Sequence, residues 1–74
     1  MRVHFVQVPP SVRDLDRAII ATTLLAHYRS FVIGFILKGQ TPEDAETDAI
    51  NAVRLLAKDA FPTLTLEILP EANQ

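Results

Sequence analysis

The side chains with the widest chemical range in this sequence are His27, Tyr28 and Arg29, which are consecutive, together with His4 near the N-terminus. They offer proton-transfer groups, a phenol and a permanent cation. The sequence contains no cysteine and no G-x-S-x-G segment, so nothing in it indicates a nucleophile. These residues give little support to catalysis, and a small enzyme with a site between subunits stays as one alternative function.

A second candidate for chemistry is the segment from Gly34 to Thr41, which nearly matches the phosphate loop G-x-x-x-x-G-K-[ST]. Gln40 stands where that motif needs its lysine, and the four residues between the glycines are mostly large and apolar. The two histidines are far apart in the sequence and lack the spacing of metal ligands. We therefore expect no bound cofactor and no metal.

The charged residues are scattered along the chain. Seven Lys and Arg oppose nine Asp and Glu, which gives a net charge of −2 and no basic cluster. Binding to nucleic acid needs a concentrated positive surface, so it is disfavoured. Acidic residues gather between Glu43 and Asp48, where a helix is predicted to begin and where its dipole favours negative charge.

Five elements are predicted to position these residues. Strands are indicated at 2–8 and 63–69 by β-branched and alternating residues, and helices at 11–28 and 42–60 by capping signals. The apolar run 30–37 is predicted to be a central strand, with continuation of the first helix to a Gly39 cap as the alternative. The expected fold is α/β, with α+β as the alternative: one β-α-β-α-β domain over residues 1–74, with two helices on one face of a three-stranded sheet.

The first predicted helix is apolar on nearly all sides. Three of its apolar side chains lie on one side and two roughly opposite: Leu15, Ile19 and Ala26, then Ile20 and Leu24. One sheet covers only one side of a helix, so the other side needs another helix or a second subunit. With Tyr and Arg enriched in protein interfaces, the predicted interface comprises Ile20, Leu24, His27, Tyr28 and Arg29.

The segment from Gly39 through Thr41, Pro42 and Ala45 to Ala49 resembles the strand-to-helix turn of HicB-type antitoxins, where a similar G-x-T-x-E-x-A run follows a strand. The resemblance covers about a dozen residues, and this chain departs from that family by placing a long apolar helix upstream. It implies an antitoxin or regulatory component that binds a protein or nucleic-acid partner, which is the other alternative function.

The small size of the chain favours self-association. A chain of 74 residues with 49% hydrophobic residues buries little surface and has no disulfide to reinforce it. We expect a non-catalytic interaction module that forms a homodimer or higher homo-oligomer, or binds another protein. The apolar stretch 18–37 is divided by His27 and Arg29 into pieces too short to span a bilayer. A cytoplasmic protein without membrane contact is therefore predicted.

Overall fold

The computed structural model describes residues 1–71 and has the element order β-α-α-β. Strand β1 comprises Arg2–Gln7, helix α1 Asp14–Leu37, helix α2 Pro42–Ala60 and strand β2 Thr65–Leu69. The mixed helix and strand content agrees with the predicted class. The sheet has two antiparallel strands among the described residues, in place of the three-stranded β-α-β-α-β arrangement.

The predicted central strand at 30–37 is wrong, because these residues form the last third of α1. Their β-favouring side chains pack along the helix instead, with the rings of Phe31 and Phe35 stacked one turn apart at 6.4 Å between centroids. The structure thus has the alternative arrangement, in which the first helix continues to a Gly39 cap. Tertiary packing overrides the local strand propensity of these residues. Without this strand the described residues contain no third strand to pair with β1 or β2.

Helix α1 ends in a Schellman motif built on Gly39. The Gly39 N–H donates to the Ile36 carbonyl at 2.9 Å, and the Gln40 N–H donates to the Phe35 carbonyl at 3.1 Å. Gly39 has a φ of 102°, a backbone conformation that only glycine adopts readily. The turn at 38–41 then sends the chain back along α1 as α2, so the two helices form a hairpin.

Helix α1 starts later than the capping pattern at Ser11 indicates. Its N-cap is Arg13, and the Asp16 carboxylate accepts a 2.9 Å hydrogen bond from the Arg13 backbone N–H. Arg13 is also salt-bridged to Asp16, which holds the pKa of that carboxyl below its usual value through hydrogen bonding and charge. A second acid, Asp14, pairs with Arg17 one turn further.

Helix α2 follows the predicted capping. Thr41 is the N-cap and its hydroxyl accepts from the Asp44 N–H at 3.2 Å, with Pro42 in the first turn. Its inward side is lined largely by alanine, so α1 can approach it closely. The core of the described residues is small and entirely apolar: Leu24, Ala45, Ala49, Ile50, Val53, Ala57 and Ile68.

The two strands bring the ends of the described chain together. Arg2 is opposite Leu69, and the N-terminal amine of Met1 lies 3.0 Å from the Glu71 carboxylate. Leu66 and Ile68 of β2 face the core. Arg54 joins α2 to this strand, because its Nε and Nη2 donate to the Ile68 carbonyl at 3.1 and 2.9 Å.

Candidate interaction surface

The inner side of α1 is used within the chain. Leu24 is almost fully buried in the core, and Ile20, Tyr28 and Phe31 pack around it from the same helix. The spacing of these residues by three or four places them on one side of the helix, which faces α2 and the sheet. The inner side therefore contributes to the core that α1 shares with α2 and with Ile68 of β2.

The outer side of α1 carries a second set of large apolar side chains, and these are exposed. We call this surface the outer stripe: Leu15, Ile19, Thr22, Ala26, Arg29, Ile33 and Leu37. Exposed fractions are 63% for Leu15, 55% for Ile19, 60% for Ile33 and 82% for Leu37. The intervals of three and four residues align the stripe along the full length of the helix. Ile36, 41% exposed, flanks it.

The outer stripe has large apolar side chains at its ends, and its middle has small side chains together with Arg29. Thr22 and Ala26 occupy the middle, and Ala18 lies beside them, also exposed. A shallow depression of about 250 Å³ is lined by Ala18, Ile19, Thr22 and Thr23. A row of small residues lets another backbone approach closely, and a depression on a helix surface is the kind of hole that receives a side chain in helix packing.

The predicted interface residues divide between the two sides of α1. Leu24 is buried inside the chain, and Ile20 and Tyr28 are half-buried against the core. His27 and Arg29 are exposed, and only Arg29 lies on the outer stripe. The interface role of these five stays a prediction. Leu24 is buried by its own chain and cannot contact a partner. Leu15, Ile19 and Ile33 are exposed, and they do not belong to the predicted interface.

The structure does not bring the chemically capable residues together. The Nδ1 of His4 lies 2.9 Å from the Glu67 carboxylate on the outer face of the sheet. The imidazole of His27 lies on α1 near Phe31, 6.4 Å between ring centroids. The groove beside Tyr28 is lined by glutamates, with neither histidine nor Arg29 among its lining residues. Within the described residues of one chain these side chains do not share a site, and the alternative of an enzyme with a site between subunits stays a prediction.

The groove beside Tyr28 is acidic. Besides the tyrosine it is lined by Glu43, Glu46 and Glu71, with Met1 at one end. Burial raises the pKa of Tyr28, and the carboxylates of Glu46 and Glu71 raise it further. The N-terminal amine holds the pKa of Glu71 below its usual value through hydrogen bonding and charge. Over residues 1–71, no group of three or more His, Asp and Glu is arranged to hold a metal ion.

Helix α1 is long and apolar enough, by length and composition alone, to cross a membrane. The argument that His27 and Arg29 divide it into short pieces is wrong, because one continuous helix of 24 residues runs through both. In its most apolar window only 6% of the residues are buried within the chain. The charge of Arg29 near the middle of the helix remains the observation that opposes insertion.

The turn that resembles HicB-type antitoxins has a different setting here. It connects two helices, whereas the resemblance implies a strand before it. No family model, no curated protein and no solved structure matches this chain.

Proposed function

We propose that this protein is a small non-catalytic interaction module that associates with a second copy of itself through the outer stripe of α1. The observation that carries the proposal is the exposure of large apolar side chains at both ends of one helix face, Leu15 and Ile19 at one end and Ile33 and Leu37 at the other. Exposed apolar patches such as these two ends mark interaction sites in soluble proteins.

The size and shape of the chain support a partner that covers this surface. A compact protein of 8.2 kDa has an accessible surface of about 4,500 Å², whereas this chain has 5309 Å². Its radius of gyration is 13.0 Å, against about 11 Å for a compact domain of this length. The principal extents of 42 × 28 × 16 Å describe a flat molecule. One partner in a standard interface buries about 800 Å², close to the excess surface of this chain.

A second copy fits the balance of the surface better than a strongly charged partner. Arg29 is the one charged residue of the outer stripe, and the acids and bases near the start of α1 pair with each other. Nucleic acid would require several converging cations. A second copy presents the same apolar residues and needs no charge complement.

The experiment measures the mass of wild type and of two variants in solution. It uses light scattering on a sizing column over a range of concentrations. Ile33→Glu places a charge on the outer stripe, and Leu55→Glu places one at an exposed leucine of α2 that is outside it. We expect wild type and Leu55→Glu to have at least twice the mass of one chain. Ile33→Glu should have the mass of one chain with unchanged helix content by circular dichroism.

Three results would overturn the proposal. A wild-type protein that stays a monomer at every concentration removes self-association. Loss of assembly in Leu55→Glu with retention in Ile33→Glu moves the interface to α2. Flotation of wild type, but not Ile33→Glu, with neutral lipid vesicles would identify a membrane as the surface that the outer stripe contacts, and would likewise end the proposal.

A further inference from the structure

The outer stripe is nearly symmetrical about Ala26. Ile19 and Ile33 are each seven residues from Ala26, and Leu15 and Leu37 are each eleven residues from it. In two antiparallel helices related by a two-fold axis, residues equally far before and after the axis meet across the interface. An axis at Ala26 therefore matches isoleucine with isoleucine and leucine with leucine.

We propose that two copies pack with their α1 helices antiparallel, the two-fold axis passing beside Ala26 and Ile33 of each copy entering the depression of the other. This inference rests on the proposed function and adds the direction and register of the pair. The depression is lined by Ala18, Ile19, Thr22 and Thr23, and its position is the one that the axis places opposite Ile33. Each dimer then contains this contact twice.

The small residues in the middle of the stripe suit this register. Ala26 lies on the axis, where the two helices are closest, and Thr22 is opposite Ser30 of the partner copy. Alanine and hydroxyl side chains at such positions permit a short distance between helix axes, toward the lower end of the range of about 8–10 Å. The larger side chains lie towards the two ends of α1, where the helices diverge.

The charge of Arg29 distinguishes antiparallel from parallel packing. In a parallel pair in register, each Arg29 lies beside the same residue of the other copy, and like charges at an interface oppose binding. In the antiparallel pair, Arg29 is opposite Thr23, and the two guanidinium groups attach about 9 Å apart along the axis, given a rise of about 1.5 Å per residue. The antiparallel arrangement thus avoids the repulsion while keeping the apolar matches.

Cysteine cross-linking tests the register, because the natural sequence has no cysteine. Ile19→Cys and Ile33→Cys are made in separate chains of different length, so that mixed and self-linked pairs separate on a gel. Under mild oxidation we expect the mixed disulfide to form and neither variant to link with itself. Leu55→Cys, exposed on α2, is the control for random collision.

A second test uses charge pairs within one chain. Ile19→Asp and Ile33→Lys are each expected to weaken the dimer. The double variant carrying both should dimerise several-fold more tightly than either, because Asp at 19 then faces Lys at 33 of the partner copy in the antiparallel pair alone. Parallel packing places like charges together and gives no recovery.

The outcomes separate this inference from the proposed function. Self-linking of Ile33→Cys in a protein of dimeric mass means parallel packing; it overturns the register and keeps the interaction module. A dimeric protein in which neither cysteine links overturns the register, and it overturns the proposed function as well when Ile33→Glu leaves the dimer intact. A monomeric wild type overturns the proposed function first, and the antiparallel pair with it.

Discussion

The two helices differ in how much of their apolar surface is covered by the rest of the chain. Helix α2 buries one apolar stripe that contains Ala45, Ala49, Ile50, Val53 and Ala57, and its remaining surface is largely charged or polar apart from the exposed Leu55. Helix α1 buries Leu24 on one side and exposes leucine and isoleucine on the other. A helix with one apolar side is fully covered by its own chain, whereas a helix with two has one contact inside the chain and one left for a partner.

The largest effect expected from this comparison is at Leu24. Leu24→Ala leaves a cavity in the core between α1, α2 and the sheet and is expected to lower the free energy of unfolding by about 2–5 kcal/mol. Leu55→Ala, on the exposed side of α2, should change it by less than about 0.5 kcal/mol. Urea unfolding at one fixed protein concentration measures both. Equal losses would mean that the inner and outer sides of the helices are misassigned.

The comparison also shows why the sequence could predict α2 and not the whole of α1. The Thr41–Pro42 start of α2 and the alternation of β2 are local signals, and the structure has both. Residues 30–37 carry an apolar run without polar interruptions, and such a run has no periodicity that separates strand from helix. The Gly39 cap was the one local sign of a helix end, and it competed with strong strand propensity.

The sequence does not locate the interaction surface, for a related reason. Both sides of α1 are apolar, so the sequence alone cannot say which side α2 covers. Ile20 and Leu24 were predicted to face a partner, and the structure packs them against α2 and the sheet. The choice depends on the direction of the 38–41 turn, which sets the rotation of one helix against the other and is a property of the folded hairpin.

The next largest effect on stability is expected at the two glycines in the C-terminal part of α1, Gly34 within the helix and Gly39 in its cap. Gly39→Ala places a side chain in a left-handed conformation and is expected to destabilise the protein by about 1–2 kcal/mol. Gly34→Ala should stabilise it by about 0.5–1 kcal/mol, because alanine favours a helix interior and an added Cβ meets nothing within 4 Å. Thermal unfolding of both variants measures the pair. A change of stability in the same direction in both variants would show that α1 does not end in this cap.

The smallest expected effect is electrostatic and reports how closely α2 approaches α1. Tyr28 is the sole tyrosine, so its titration is resolved by ultraviolet absorbance. Burial, and then Glu46 and Glu71, raise its pKa above the ordinary value. We expect Glu46→Gln to lower the pKa part of the way back, since burial is the larger cause, and Asp59→Asn to leave it unchanged. Equal Tyr28 pKa values in wild type and Glu46→Gln would show that the Glu46 carboxylate does not act on the phenol.

The raised pKa of Tyr28 also fixes the sign of its effect on stability. The folded state holds the phenol proton more strongly than the unfolded state, so this contribution is fully present below the unfolded pKa, about 10. It is lost as the pH rises through the higher folded value. Urea unfolding of wild type should therefore show stability falling above about pH 10, and Tyr28→Phe should show a smaller fall over the same range.

The pairing of β1 with β2 has a consequence for how the chain folds. Arg2 and its partner Leu69 lie near opposite ends of the described residues, whereas the two helices are joined directly by the turn at 38–41. Contacts between residues that are distant in sequence close a longer loop and form slowly. We therefore expect the sheet to be the last part of the fold to form, after the helical hairpin.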